Sequence, residues 1–338
     1  MPDFPLPDVS LPDAPASDFL VIGESVADIV RSPGRDDVTH PGGSPANTAY
    51  GLARLGHPTA LLTQLGPDPA GRLIGDHLRS AGVRLLTDDA AHTPTAIVTL
   101  NRHGSADYAF DINWTLQDSA LQDSALQDAA LKDAALASPR HVHFGSIAAV
   151  RAPGAAATLA AVARLRGRAT VSYDPNVRPR LMGERRAAVA QVERCVALSD
   201  LAKASDEDLA WLYPGEPEQS VAARWLALGP AAVLVTRGDG EATGSTRTGA
   251  VSVPAVRTAV ADTVGAGDSF MSATLDALAA LGLLGAARRS ELAALGSGTL
   301  AAVLRHAAAA AAVTVSRPGA NPPTAAELTA FTVPVDVP

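Results

Sequence analysis

The sequence predicts an α/β protein in which a doubly wound, mostly parallel sheet lies between two layers of helices and carries a small β-sheet lid. Two observations predict the main sheet. Short apolar segments alternate with helical segments along most of the chain, which is typical of βαβ units. The apolar residues are mostly alanine, valine and leucine, as expected where helices cover a buried sheet. A third observation, a hairpin-like segment that breaks the alternation, predicts the lid.

The alternation begins at Phe19. The run Phe19-Leu-Val-Ile-Gly23 is short, apolar and closed by glycine, which predicts a buried strand. Glycines also follow the first two predicted helices, at Gly56 and Gly82, where C-terminal glycines are common. In chain order, the elements after the first strand are an extended segment 24–30, a helix 44–55, a strand 59–65 and a helix 70–81.

The lid is predicted from about 29–40 and 94–113. Two runs, 95–100 and 107–110, alternate polar and apolar residues and flank the turn Asn101-Arg-His-Gly104, which is a hairpin signal. Exposed sheet edges often pair with other edges. If the protein forms a homodimer, we therefore expect it to form through the lid.

Two segments are predicted to lie outside the packed domain, which we place at 19–330. Residues 1–18 are rich in proline and aspartate and lack a signal-peptide pattern, which predicts a flexible tail. Residues 116–136 repeat a pentapeptide of the type Leu-Gln-Asp-Ser-Ala. Leucines five residues apart turn by about 140° each on a helix and form no stripe, so we interpret the repeat as a surface insertion without a catalytic role.

The alternation resumes after the repeat. The predicted strands are 142–144, 170–174, 201–203, 232–236 and 250–253. The predicted helices are 155–166, 184–197, 218–227, 266–281 and an alanine-rich helix from about 292 to 312, after which a strand pattern is expected. This order completes the doubly wound α/β domain.

Composition excludes several classes of protein. The chain has 338 residues, of which 47% are hydrophobic, enough for one large domain with or without a small one. The net charge is −8 and no cluster of lysine or arginine stands out, so a nucleic-acid partner is not expected. No apolar run reaches the about 20 residues that cross a bilayer, so no membrane partner is expected. Cys195 is the single cysteine, which fits a reducing compartment, the cytoplasm.

The run Asp262-Thr-Val-Gly-Ala-Gly-Asp268 is the strongest chemical signal. Gly265 and Gly267 allow the backbone to approach a ligand, and free amides at the start of the following helix favour an anion. A carboxylate in that first turn, Asp268, can accept a proton from a hydroxyl that attacks phosphorus. Taken alone, the short motif also fits an ordinary N-terminal capping acid.

A second motif, Pro41-Gly-Gly-Ser-Pro-Ala-Asn47, precedes the helix that ends at Gly56. Bare glycines let the backbone approach a polyol, and the amide of Asn47 offers both a donor and an acceptor to hydroxyl groups. A plain loop and helix cap is the alternative.

These two stretches resemble the signatures of the PfkB, or ribokinase-like, family of carbohydrate kinases. Residues 42–56 match the N-terminal signature and residues 262–270 the C-terminal one, and the resemblance runs from about Phe19 to Leu328. It implies a ribokinase-like fold and an enzyme that transfers a phosphoryl group from ATP, with Mg²⁺ and in some members K⁺, to a sugar hydroxyl.

The resemblance also implies a role for residues at matching positions. Asp268 corresponds to the catalytic base, and the turn before it corresponds to the anion hole that holds the transferring phosphoryl group. The anion hole is formed by Gly265, Ala266 and Gly267. The implied substrate contacts are Asp28, Gly42, Gly43, Asn47 and Arg178, the last of which would face either phosphate or substrate. To these we add Phe110 and Trp114 as aromatic residues that would stack on or cover the sugar, with packing within the lid as the alternative. The implied nucleotide contacts are Ser205, Thr236, Gly238, Gly240, Gly265 and Gly267.

The chain departs from the family pattern after the strand that carries Lys203. Many members have Asn-x-x-Glu where this chain has Ser205 and Asp208. Asp208 retains a carboxylate that would hold Mg²⁺ through water, with Glu207 as the alternative acid. Asp262 matches the carboxylate of a monovalent-cation site, which carbonyl groups near Val264, Thr314 and Gly319 would complete; capping of the turn is the alternative for Asp262.

Three features favour a fructokinase-like enzyme that acts on a neutral hexose such as fructose. The segments Asp174-Pro-Asn-Val-Arg178 and Lys203-Ala-Ser-Asp-Glu-Asp208 resemble bacterial fructokinases, in which serine is frequent at the position of Ser205. Kinases of 2-keto-3-deoxygluconate commonly carry an arginine two residues after a lid tyrosine, where this chain has Phe110 after Tyr108. Ribose, a nucleoside or 2-keto-3-deoxygluconate stay open as substrates.

Two other classes of protein fit the sequence less well. A dinucleotide-binding dehydrogenase would carry Gly-x-Gly-x-x-Gly after the first strand, but the segment from Gly23 to Asp28 has one glycine. A non-catalytic sugar sensor on the same fold is the more serious alternative, since fold does not fix function. His141 and His143 lack a third partner at metal-ligand spacing, so no zinc site is expected. His306 is interpreted as a surface histidine, with a place beside the adenine as the alternative.

Overall fold

The protein is described by a computed structural model that covers residues 18–31, 36–100, 106–116 and 139–332. The predicted tail up to residue 17, the hairpin turn 101–104 and the pentapeptide repeat from residue 117 onward lie outside the described residues. The boundaries predicted for these segments remain predictions.

The described residues form strands and helices in an order close to the predicted one. The strands are β1 Phe19–Ile22, β2 Val26–Arg31, β3 Val38–Gly42, β4 Thr59–Leu65, β5 Arg84–Asp89, β6 Thr95–Leu100, β7 Ala106–Asp111, β8 His141–Gly145, β9 Thr170–Asp174, β10 Leu201–Ser205, β11 Ala232–Thr236, β12 Glu241–Thr246 and β13 Gly249–Pro254. The helices are α1 Ser44–Arg54, α2 Pro69–Ser80, α3 Ser146–Val150, α4 Gly154–Leu165, α5 Pro179–Met182, α6 Arg185–Leu198, α7 Asp206–Leu212, α8 Glu218–Leu228, α9 Ala266–Ala280, α10 Arg289–Ala293, α11 Ser297–Val315 and α12 Ala325–Thr332.

Nine strands form the larger sheet, in the order β13-β12-β11-β10-β9-β8-β1-β4-β5. The seven strands from β11 to β5 are parallel, and β12 and β13 add an antiparallel edge. Along β1, Phe19 and Val21 pack with α1, α9 and α11, whereas Leu20 and Ile22 pack with α4, α6 and α8, because successive side chains of a strand point to opposite faces. The predicted doubly wound sheet with helices on both faces is confirmed.

The smaller sheet has four strands in the order β3-β2-β6-β7. The predicted hairpin is present as the antiparallel pair of β6 and β7, and β2 pairs in parallel with β6 and antiparallel with β3. A small apolar cluster fills the space between this lid sheet and α3; it consists of Val26, Ala96, Ile112 and Ile147, with Phe110 and Leu181 packed against it. The lid sheet is therefore joined to the main domain by an apolar contact.

The alanine-rich segment near the C-terminus differs from the prediction. A single helix was expected over 292–312 with a strand after it, but α10 ends at Ala293 and α11 runs from Ser297 to Val315. Gly296 and Gly298 mark the break, because glycine weakens a helix interior. Within the described residues, α11 is the one helix long and apolar enough to span a membrane, with a mean hydropathy of 1.4, but 61% of that window is buried against the rest of the protein.

Candidate active site

The turn before α9 has the shape that anion binding requires. Gly265 is the N-terminal cap residue with φ 76° and ψ 2°, a left-handed conformation that favours glycine, and no side chain caps the helix. A Cβ atom on Gly265 would lie 2.7 Å from the Cβ of Ala320. The sequence places glycine here for two reasons, backbone conformation and space, and the result is a helix start whose backbone amides and dipole favour an anion.

Asp268 lies in the first turn of α9 and is held by two side chains from α1. Ser44 Oγ donates to Asp268 Oδ1 at 2.6 Å, and Asn47 Nδ2 donates to Asp268 Oδ2 at 2.8 Å. These donors stand more than 200 residues away along the chain, so the two sequence motifs meet at one carboxylate. Burial raises the pKa of Asp268, while the bonds from Ser44 and Asn47 oppose that rise. The site thus contains an oriented carboxylate that is more basic than a free aspartate.

The junction between the lid and α1 brings the second motif into the site. Strand β3 ends at Gly42 and α1 begins at Ser44, so Gly43 alone joins them. Gly43 has φ 100°, and a Cβ atom there would lie 2.6 Å from the carbonyl oxygen of Glu24. A Cβ atom on Gly42 would lie 2.1 Å from Asp28 Oδ2. Both glycines therefore permit close packing, and the packing at Gly42 places the Asp28 carboxylate beside the junction.

Asp28 lies on β2, where its cross-strand partner is His40 on β3. Burial raises the pKa of Asp28 to about 6; Arg178 and His40 oppose the rise, and the negative charge of Asp268 adds to it. These four side chains consequently lie close enough to influence one another electrostatically. His40 was missed from the sequence, and the signal that could have identified it is its place just before Pro41-Gly42 on a strand that faces Asp28.

Arg178 lies at the start of α5 with an exposed side chain. Its guanidinium donates to the carbonyl oxygen of Val177 at 3.1 Å. Its charge lowers the pKa of Asp28, so the structure brings Arg178 within electrostatic reach of that carboxylate.

The predicted nucleotide residues lie at the carboxyl ends of neighbouring strands. Ser205 ends β10 and Thr236 ends β11, and the two are register partners. Gly238, in the turn that follows, has φ 45°. Ligands of open α/β sheets bind beyond the carboxyl ends of the strands, which is where these residues are. The hydroxyl of Ser205 already has a structural partner, since it accepts from the backbone N–H of Asp208 at 3.0 Å in a capping box.

The geometry of Asp208 does not fit a water-mediated Mg²⁺ ligand. The residue is 6% exposed, Oδ1 accepts from Val177 N at 2.7 Å, and Oδ2 accepts from Ser205 N at 2.8 Å. Burial and the neighbouring Asp174 raise the pKa of Asp208. A metal ligand needs an accessible oxygen, whereas both oxygens of Asp208 are buried and already accept backbone N–H groups. Glu207, the alternative acid, is exposed.

Asp262 bridges two turns. Oδ1 accepts from Val264 N at 3.0 Å and Oδ2 accepts from Gly319 N at 2.8 Å. The structure therefore brings together three residues of the predicted monovalent-cation site. Val264 and Gly319 donate their N–H groups to the carboxylate, whereas the prediction used carbonyl groups near these residues. Across the parts of the chain that the structure describes, no group of three or more His, Cys, Asp or Glu side chains is arranged to hold a metal ion.

Trp114 does not cover the sugar, which corrects the prediction made from the sequence. It is 1% exposed and packs in the core between the sheet and α4. Its Nε1 donates to Thr158 Oγ1 at 2.9 Å, and a Cβ atom on Gly154 would lie 2.5 Å from its ring. Phe110 lies half-buried against the lid cluster and remains the candidate aromatic contact.

A Trp114→Phe variant tests this correction. It should lower the free energy of unfolding by about 1–3 kcal/mol, because the ring loses volume and Thr158 loses a buried partner. KM for the sugar should stay unchanged. Urea denaturation and steady-state kinetics measure the two quantities. Unchanged stability together with a raised KM would return Trp114 to the sugar site.

The histidines outside the lid have structural partners. His141 and His143 are buried, and each bonds to Ser172 Oγ at 2.8 Å. His306 is half-buried and bonds through Nε2 to Asp276 at 2.7 Å, so it is a helix-to-helix contact.

Two charged residues of the site received no role from the sequence. Lys203 Nζ donates to Asp174 Oδ2 at 2.7 Å, and both side chains are almost fully buried. The available signal was a lysine inside the otherwise apolar strand Leu201-Ala-Lys-Ala204, since lysine is rarely buried without a partner.

The chain resembles a family of known proteins along most of its length. The profile described as "pfkB family carbohydrate kinase" matches residues 17–327. The chain is 33% identical over 272 residues to a fructokinase of Klebsiella pneumoniae, covering 78% of this chain and 85% of that protein. It is also 33% identical over 238 residues to a fructokinase of Rhizobium leguminosarum bv. trifolii, covering 70% and 71%.

Two solved structures are similar over almost the whole chain. A fructokinase of Xylella fastidiosa with bound ATP superposes with a TM-score of 0.81 at 27% identity, covering 93% of this chain and 98% of that one. A fructokinase of Vibrio cholerae O395, in a form with fructose, ADP and a potassium ion, has a TM-score of 0.73 at 25% identity, covering 95% and 100%.

Proposed function

Because the chain belongs to the pfkB family of carbohydrate kinases and is a phosphotransferase with an alcohol group as acceptor, we propose that it phosphorylates a neutral hexose such as fructose, with Asp268 as the base. The observation that carries the proposal is the meeting of Ser44, Asn47 and Asp268 at the start of α9. Likeness to fructokinases supports the choice of substrate.

In the proposed reaction the sugar lies between the lid and the main sheet, and ATP lies across the carboxyl ends of β10 and β11. Asp28 and Asn47 orient hydroxyl groups of the sugar. Asp268 accepts the proton of the attacking hydroxyl as its oxygen bonds to the γ-phosphorus and ADP leaves. Backbone amides of 265–267 offset the charge on the transferred group. Exclusion of water matters because water is a competing acceptor.

Mg²⁺ is proposed as the companion of the ATP phosphates, with exposed Glu207 rather than Asp208 as the nearby acid that can meet its water shell. K⁺ is proposed beside Asp262, which the potassium ion in the Vibrio cholerae structure supports.

Pairing of two copies through the lid is proposed as well; it is supported by the edge strand β3, where Val38 is 51% exposed, and sedimentation velocity tests it. The cytoplasm is the proposed location. Cys195, the single cysteine, is buried, and burial raises the pKa of its thiol to about 12, so it is inert to exchange.

ADP release over a panel of acceptors tests the proposal. The panel contains fructose, glucose, ribose, a nucleoside and 2-keto-3-deoxygluconate. We expect the highest kcat/KM with fructose. Preference for the sugar acid would assign Arg178 to its carboxylate. Measurable sugar binding without turnover of any acceptor would make the protein a sensor.

The pKa of Asp28 predicts the pH dependence of sugar binding. The ionised carboxylate accepts hydroxyl donors best, so KM for the sugar should rise as the pH falls below about 6. Those donors favour the charged form, so binding near pH 6 should release up to about half a proton per site. Calorimetry in buffers of different ionisation enthalpy measures this release. An Asp28→Asn variant should bind more weakly and release none; equal proton release by both proteins would remove Asp28 from the sugar site.

A further inference from the structure

Lys203 is a buried cation in the middle of β10. It is 5% exposed, and its Nζ donates to Asp174 Oδ2 at 2.7 Å across the neighbouring strand. Burial of a charge is costly unless a partner and hydrogen bonds compensate it. The burial of this cation, beneath the carboxyl ends of the central strands, therefore suggests a role in function as well as in packing.

The chain otherwise relies on arginine. Its 27 lysine and arginine residues include only two lysines, Lys132 and Lys203, and Lys203 is the one that lies in the described part of the chain. Lysine carries a compact point charge, whereas arginine carries a broad planar fork. The cation at this place is therefore a compact point charge, held by Asp174.

The ammonium of Lys203 lies close to Gly267, in the turn 265–267. A Cβ atom built on Gly267 would stand 2.9 Å from Lys203 Nζ, so the missing side chain at Gly267 leaves room for the ammonium. Gly267 lies in the first turn of α9, the helix start at which the proposed function places the transferred phosphoryl group. A positive charge thus lies beside the turn that would hold this group.

Four titratable groups face Lys203. Burial alone lowers the pKa of an ammonium, but the charges of Asp174, Asp208 and Asp268 raise the pKa of Lys203 above its ordinary value. His143, from β8, is neutral, because burial and the Lys203 charge lower its pKa to about 3. Lys203 is accordingly the cation of this cluster and stays charged at neutral pH.

The charges around Asp268 act in opposite directions. Burial is the largest effect and raises the pKa of Asp268, and the charge of Asp174 adds to that rise. The bonds from Ser44 and Asn47 and the charge of Lys203 lower the pKa. Asp28 on the lid adds a further negative charge to the same region. Removal of Lys203 should therefore favour protonation of the base, and removal of Asp174 should disfavour it.

We propose that Lys203 is a positioning residue for phosphoryl transfer: seated against Gly267 and held by Asp174, its ammonium favours the charged form of Asp268 and offsets the negative charge brought to the turn by the phosphoryl group. The inference rests on the proposed function, since it assigns a task to Lys203 within that reaction. It adds a source of positive charge to the backbone amides, which is valuable at a site of developing negative charge.

The pH profile of kcat at saturating sugar and ATP tests whether Lys203 favours the charged form of Asp268. At saturating sugar, kcat no longer depends on how well Asp28 binds the sugar. The fall of kcat at low pH, its acid limb, therefore reports the pKa of the base. Lys203→Met should move this limb up by about one pH unit and lower kcat by about tenfold or more. Asp174→Asn should move it down. Lys203→Arg retains the charge and should keep the wild-type limb even if kcat falls.

A purely structural role predicts a different result. It would lower kcat by the same factor at every pH and leave the limb in place for all three variants. Lys203→Met leaves Asp174 and Asp208 buried without their cation, so this variant can fail to fold. The double variant Lys203→Met/Asp174→Asn removes one charge of each sign and should place the limb between those of the two single variants. An acid limb of the double variant above that of Lys203→Met, or unmoved limbs in every folded variant, would overturn the inference.

An NMR experiment tests, without turnover, whether Lys203 responds to negative charge brought to the turn. Protein labelled with ¹³C in lysine alone has two lysine Cε signals, and Lys132→Arg identifies the one from Lys203. That signal should move when a nonhydrolysable ATP analogue binds, while the Lys132 signal should not. Binding of the analogue without a shift at Lys203 would overturn the inference even if the kinase is active. Absence of turnover with every acceptor, together with a shift at Lys203, would contradict the proposed function instead.

Discussion

Replacing Asp268 by asparagine should lower kcat by about 10²–10⁴-fold while sugar and nucleotide still bind. Asparagine fits the same place: its oxygen can accept from Asn47 Nδ2 and its NH₂ group can donate to Ser44 Oγ, which now serves as the acceptor. The local structure is therefore retained, and the ability to accept a proton is lost. Single-turnover kinetics measure the chemical step, and calorimetry measures binding of both substrates.

Asp276→Asn is the matched control for that variant. It makes the same change on the same helix, α9, where the Asp276 carboxylate bonds to His57 and His306 instead of to site residues. We expect a loss of stability with kcat unchanged. A kcat for Asp268→Asn within tenfold of wild type would remove Asp268 from the role of base.

Gly265→Ala should cause the second large effect, on stability and activity together. Alanine at φ 76° is strained, and its Cβ atom would lie 2.7 Å from the Cβ and 2.9 Å from the Cα of Ala320. The free energy of unfolding should fall by about 2–4 kcal/mol. Displacement of the turn moves the anion-binding amides and the base at once, so kcat should fall by about 10²-fold or more.

Gly282→Ala separates the effect of backbone strain at a positive φ from the effect of a steric clash. Gly282 follows the other end of α9 with φ 69°, but no heavy atom lies within 4 Å of the Cβ position. The change should cost about 1 kcal/mol of stability and leave kcat unchanged. Thermal denaturation and initial rates compare the two variants. Equal losses of stability in the two variants would show that Ala320 moves away from the added methyl group without a loss of stability.

The order of strands and helices was predictable because local patterns determine it. Apolar runs such as 59–65 and 232–236 became buried parallel strands with the predicted bounds. Strand β12 was missed because Glu241-Ala-Thr-Gly-Ser-Thr246 has weak strand character; its Gly244 packs under Leu300, whose side chain would lie 2.9 Å from a Cβ atom there. That contact spans more than 50 residues and has no local signature.

The candidate site was predictable in part, for a related reason. The residues of each motif could be identified, and the family resemblance placed both motifs in one site. The bonds from Ser44 and Asn47 to Asp268 depend on how α1 packs against α9, which no local pattern specifies. Trp114 was assigned wrongly because an aromatic residue after a lid strand gives no indication of its buried partner, Thr158.

The one-residue joint at Gly43 has a consequence for how this protein can vary. Because β3 ends at Gly42 and Ser44 already bonds to Asp268, the connection between them cannot change length without moving one end. An insertion here would advance Ser44 and Asn47 by about 100° around α1 and detach both from the carboxylate. Length variation among functional descendants of this chain should therefore be absent between Gly42 and Asn47.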